Sequence, residues 1–159
     1  MAYFNDEIEF KKATTFNVAP TFTEAPTMPS TSPLVKRLEV AFVLADLQAG
    51  TKASSSLPTN ALILGVHIEI TTAIAFSAGT TTGVSAVIGN SGTSNAYGTT
   101  MALGTTTGYK RPTPGTYIGG VVAGGAGGLS ATFTATGGTP VLSEVSAGAG
   151  KIVCHYITV

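Results

Sequence analysis

Charge is what this sequence has least of. Asp, Glu, Lys and Arg make up 10% of its 159 residues, against roughly a quarter in an ordinary domain. Between Ala53 and Tyr109 the only charged side chain is Glu69, and after Arg111 only Glu144 and Lys151 occur. The formal net charge is zero. Phosphate backbones are bound through clustered Lys and Arg, and the only basic pairs are Lys11-Lys12, Lys36-Arg37 and Lys110-Arg111. A nucleic-acid partner is therefore not expected. Trp is absent, and a single cysteine, Cys154, forbids an intrachain disulfide. Cys154 lies within a strand-like run, where a free cysteine is ordinarily a small core residue. No uninterrupted apolar run approaches the 18 or so residues of a membrane helix. The first residues, Met1 to Glu7, carry neither the basic nor the apolar region of a secretory signal.

What is present is Thr, Ser, Ala and Gly, with Val and Ile at close intervals, an inventory that favours strands. Mean hydropathy is +0.35 and 43% of residues are hydrophobic, too many for a chain that stays unfolded. A surface with so little charge gives poor protection against self-association. The chain reads as one component of a larger protein assembly.

Two compositions meet near Pro33. Residues 1–33 contain Pro20, Pro26, Pro29 and Pro33 among Thr and Ser. Phe4, Phe10, Phe16 and Phe22 recur there six residues apart. A helix would scatter such positions round its circumference. An extended chain places them on one side, about 20 Å apart. The segment reads either as an arm laying aromatic anchors into pockets of a neighbour or as a stretch that folds back to close its own body.

From Lys36 the pattern has period two. Leu38, Val40, Phe42 and Leu44 alternate with more polar positions, and so do Leu62 to Ile70, with continuation to Phe76, and Leu129 to Ala135. Shorter strands are expected at Val84–Ile88, Tyr97–Leu103 and Thr116–Ala123, with a last one over Lys151–Val159. Asp46–Thr51 reads as a turn, Ser54–Pro58 as a loop, and Ala147–Gly150 as a break before the final strand. Seven or eight short strands between Gly/Pro turns, without a convincing helix, predict an all-β fold over residues 34–159. The expected form is an antiparallel two-sheet sandwich, jelly-roll-like, with residues 1–33 as an extended N-terminal arm. An immunoglobulin-like sandwich is the alternative, though its Cys–Trp–Cys signature is missing.

Catalytic groups are scarce. No Asp follows Asp46, so a Ser-His-Asp triad cannot be drawn within the body. A glycosidase pair would have to be Glu69 and Glu144, or one of them with a residue of the arm. His67 and Glu69 share one strand face, and with His155 on a neighbouring strand they compose a two-His-one-carboxylate set. A solvated or interface-lining pair is the ordinary outcome for such residues. The glycines of 119–128 lack both the Walker lysine and the dinucleotide spacing. No enzyme activity, cofactor or metal is expected.

Several strings carry a resemblance. They are Val40-Ala41-Phe42 with Ala45-Asp46-Leu47, Leu57-Pro58 leading into Ile63–Ile70, Val84–Gly89, Leu129–Gly137, and the terminal His155-Tyr156-Ile157-Thr158-Val159. Across most of residues 36–159 the chain resembles small β-rich virion proteins of tailed bacteriophages, the group that includes capsid decoration, or cement, proteins. The resemblance implies a homo-oligomer, a trimer in preference to a dimer, bound to the major capsid protein on the outer surface of an icosahedral shell. It brings no catalytic or ligand residue. Phe4, Phe10, Phe16 and Phe22 are the candidate contact residues. A head-fibre or tail-associated receptor-binding protein is the alternative, with Tyr97, Tyr109 and Tyr117 near Lys110-Arg111 as its sugar-binding candidates. An envelope-degrading enzyme is a third reading, and would need a cleft holding Glu69 or Glu144.

Overall fold

The computed structural model describes residues 34–58, 60–90, 92–116, 118–119 and 128–159. Phe4, Phe10, Phe16 and Phe22, with the whole expected arm, lie outside the described residues, as does most of the strand expected at Thr116–Ala123. Among the described residues eight strands run in order: β1 (Lys36–Phe42), β2 (Thr51–Ser56), β3 (Ala61–Phe76), β4 (Thr81–Gly89), β5 (Gly98–Ala102), β6 (Gly108–Lys110), β7 (Gly128–Gly137) and β8 (Val145–Thr158). The one α-helix among the described residues, α1, spans Leu44–Ala49 between β1 and β2.

The strands form two antiparallel sheets of four, ordered β1-β8-β3-β6 and β2-β7-β4-β5. First pairs with last, second with seventh, third with sixth and fourth with fifth, and successive pairs fall in opposite sheets. That is the path of one long hairpin rolled upon itself, the jelly roll. The chain is an all-β, two-sheet sandwich.

The period-two pattern decides which side of each strand enters the core. In sheet one, Leu38 lies opposite Cys154 and Cys154 opposite Val66; one step along, Val40, Ile152 and Ile68 line up. These residues face sheet two, where Ala86 stands between Phe133 and Met101. Phe42 and Phe133 meet across the sandwich with ring centroids 5.1 Å apart. Rings as fully buried as Phe42 are each worth roughly 1.5–3 kcal/mol of transfer free energy. Cys154 is fully buried in this core, and desolvation pushes its thiol up to about 12.

Four local expectations are corrected. Asp46–Ala49 belongs to α1, because Asp46 Oδ2 accepts the Val43 amide at 2.9 Å and Lys52 Nζ lies 3.1 Å from Asp46 Oδ1. Gly50 ends that helix in the left-handed region at φ 79°, a conformation that suits glycine. Residues 54–56 continue β2 instead of forming a loop, and β6 was not expected at all. Ala147–Gly150 is no break, since β8 runs through it. The chain enters β8 from a single 3-10 turn, Leu142–Glu144.

Candidate functional site

The two outer faces of the sandwich differ in chemistry. On sheet one the outward register positions are Arg37 and His155, Glu39 and Val153 with His67, then Lys151 with Glu69. Arg37 pairs with Glu39 at 2.7 Å and lies 3.9 Å from Glu69, while Lys151 reaches Glu39 at 3.0 Å. The Lys151 hydrogen bond, aided by Arg37, holds the Glu39 carboxyl below its ordinary range. Val153 is fully buried yet lies outside the core between the sheets; its register neighbours are Glu39 and His67. On sheet two the outward positions Thr51, Thr132, Val87, Ser85, Thr134 and Ala102 carry no charge.

The main concavity opens at the edge of sheet one. Strand β6 covers only Ile68–Ile70 of the much longer β3, leaving Ala61–His67 beyond it. Leu64 is an extra residue here, since Ile63 pairs with Tyr156 and Gly65 with His155. Such a bulge bends the strand and redirects its side chains. After β6 the chain crosses to the other sheet and back. Gly98 bridges Pro114 and the Gly115 amide donates to Tyr97 O at 3.1 Å, at the start of β5. The Gly119 amide then donates to Ile63 O at 2.8 Å. Between this crossing loop and β3 lies a cavity of about 470 Å³, within the usual range for ligand pockets. Leu64 to His67 form one wall, Arg111, Pro112, Pro114 and Ile118 the other, and Tyr97 and His155 complete it.

Its lining is mostly apolar, with the polar side chains of His67, Tyr97, Arg111 and His155 among it. The His67 ring packs edge-on to Tyr109 at 5.3 Å and lies 5.6 Å from the His155 ring. Burial, then His155, Arg37 and Arg111, hold the His67 imidazolium below its ordinary range, against a weaker opposing effect of Glu69. The His67 Nε2 atom is buried without a hydrogen-bond partner. Arg111 is exposed and has no ion pair among the described residues. A second concavity of about 400 Å³ lies over β2 and β7; its only charged lining residue, Lys52, is already engaged by Asp46.

The structure brings His67 and His155 together but leaves Glu69 with Arg37. No group of three His, Cys, Asp or Glu side chains able to hold a metal occurs among the described residues. Glu144 accepts the Thr81 amide at 2.7 Å at the foot of β8. Glu69 pairs in register with Lys151, seven positions further along that strand, so the two carboxylates are roughly 20 Å apart by strand rise. A glycosidase pair needs at most about 9.5 Å, so these two residues do not form one. Of the three tyrosines proposed for sugar contact, Tyr97 is 1% exposed and Tyr109 66% exposed, while Tyr117 lies outside the described residues. Sequence reading missed the cavity itself. Its only written signals were the Pro-Thr-Pro-Gly turn at 112–115 and the bare Lys110-Arg111 pair.

No family model matches the chain, and no curated protein matches its sequence. The fold does have a structural neighbour. It is similar to a chain of the cyanophage Pam1 capsid asymmetric unit, with a TM-score of 0.60 and 19% identity, over 92% of this chain and 100% of that one. At that identity the likeness is one of fold.

Proposed function

We propose that this chain is a structural virion protein, a decoration or cement protein that binds the outer surface of a phage capsid and stabilises contacts between major capsid subunits. The observation that carries the reading is the likeness of fold, over the whole of the neighbour, to a chain from a capsid asymmetric unit. The distribution of charge supports it. A sandwich whose sheet-two face offers only Thr, Ser, Val and Ala at its outward positions suits burial against protein, since charged residues are depleted at interface cores.

In this reading the protein acts by contact and not by catalysis. Copies associate as a trimer in preference to a dimer, and the Phe-bearing segment of residues 1–33, able to span up to about 110 Å when extended, reaches across a subunit boundary. Each copy need add only a few kcal/mol, because symmetry repeats the contact over the shell. Particles prepared with and without the protein test this. Those lacking it should assemble yet release their genome at a lower temperature. Equal heat resistance in both preparations would overturn the reading.

A head-fibre or tail-associated receptor-binding role is the second reading, favoured by one observation: the cavity lined by Tyr97, Arg111, His67 and His155 with exposed Tyr109 beside it. Particles lacking the protein would then keep their heat resistance and lose adsorption to host cells.

A further inference from the structure

The cavity at the edge of β3 combines an apolar interior with an uncompensated positive rim. Leu64, Val66, Pro112, Pro114 and Ile118 offer no side-chain hydrogen-bonding group, which disfavours a sugar and suits an aromatic or aliphatic side chain. At the mouth, Arg111 has no ion pair among the described residues, and a proton on His67 is disfavoured first by burial and then by repulsion from His155, Arg37 and Arg111. A carboxylate placed there would relieve that repulsion. The occupant therefore has large apolar groups and acidic groups in close sequence. This chain contains such a segment. Phe4-Asn5-Asp6-Glu7-Ile8-Glu9-Phe10 holds three of the chain's eight acidic residues between two phenylalanines.

We infer that the cavity is a docking site for residues 4–10 of a second copy of this chain, with Phe4 or Phe10 between the bulge at Leu64 and the Pro112–Ile118 loop and the intervening carboxylates against Arg111. The inference rests on the oligomeric, contact-making role proposed above and names the partner of its exposed site. Reach is ample. Strand β1 begins at the level of the cavity, since Arg37 pairs with His155 and His155 with Gly65. The 25 residues between Phe10 and Lys36 can extend up to about 90 Å.

The test uses the full-length chain in two forms with one added cysteine each, Asn5→Cys and Thr113→Cys; native Cys154 is buried and its thiol is pushed up to about 12, so it stays inert. The two forms are mixed, oxidised and resolved without reductant. A disulfide-linked dimer containing one of each is expected. It should be lost when Arg111→Glu is added to the Thr113→Cys chain, and restored when Asp6, Glu7 and Glu9 of the partner are changed to Lys. Absence of the mixed dimer overturns the inference, and so does its persistence through the Arg111→Glu change. A cross-link that closes only within the double variant Asn5→Cys/Thr113→Cys overturns it in favour of the chain's own segment. Absence of the mixed dimer together with Arg111-dependent binding of an acidic oligosaccharide overturns it in favour of a glycan site. Because no shell is present, failure here leaves the heat-resistance test of the capsid role untouched.

Discussion

Glu144 and His67 give the molecule two separate sensitivities to acid. The Thr81 backbone amide, followed by its side chain, holds the Glu144 carboxyl below its ordinary 4.5. A carboxyl lowered by folding stabilises the protein above the unfolded value, and that contribution is lost as the pH falls through the folded one. Glu144→Gln should therefore lower the melting temperature at neutral pH and flatten its decline below about pH 4.5. His67 acts at higher pH. Its imidazolium is disfavoured in the fold, first by burial and then by His155, Arg37 and Arg111, so the unfolded chain takes up the proton more readily. Stability is full above the ordinary value of 6.5 and declines as the pH falls through it. A His67→Gln protein should show a flatter melting temperature between pH 7.5 and 5.5 than the parent, measured at constant salt. Both profiles are readable by calorimetry in one buffer series.

At the scale of the element, β8 decides the architecture, because it is the inner strand that joins β1 to β3. Gly150 sits within it, opposite Phe42 on one side and Ile70 on the other. A methyl group there would meet the carbonyl of Glu69 and the ring of Phe42. Overpacking of this kind costs about 1–3 kcal/mol, so Gly150→Ala should unfold at correspondingly lower denaturant with an unchanged m-value. The same residue explains where the sequence was opaque. Alternation of Leu38 to Phe42, Leu62 to Ile70 and Leu129 to Phe133 shows those strands at once, but the bulge at Leu64 breaks the phase of the second, burying Ile63 and leaving Leu64 exposed. A run such as Ala147-Gly148-Ala149-Gly150 looks like a loop until the strand that crowds it is known. Likewise β6 is three residues long and carries no pattern of its own, being defined by its pairing with β3. The Tyr and Arg residues near 97–111 could be named from the sequence, but not the cavity. It depends on a bulge at Leu64 and a loop that bridges two sheet edges, both products of long-range pairing.

For the whole molecule, the contrast between the outer faces makes the proposed association of copies testable. Sheet one shows solvent a network of Arg37, Glu39, Glu69 and Lys151. The outward positions of sheet two present only neutral side chains around Val87, Thr132 and Thr134. If copies meet through the latter, Val87→Lys combined with Thr134→Glu should lower the mass found by light scattering. The melting temperature of the isolated protein should change little, because neither residue belongs to the core. An equal pair of changes on sheet one, Arg37→Ala with Lys151→Ala, should leave the mass unaltered. Surface ion pairs of that kind are worth at most about 1 kcal/mol each, so their loss should be nearly silent.

The pairing of the first strand with the last also has a consequence in time. A ribosome delivers β1 early, but its partner β8 is the last of the eight strands to appear, and β3 likewise waits for β8. Before β8 emerges, sheet one can therefore form no more than its short β3–β6 pairing. Until the final strand is released, Phe42, Ile63, Ile68 and Ile70 have no lasting cover, and the nascent chain depends on whatever keeps such surfaces apart. Non-local pairing of this order places refolding in the millisecond-to-second range. Chains stalled before Val145 should remain protease-sensitive however long they are held, then become resistant in a single step once the last fourteen-residue strand is free.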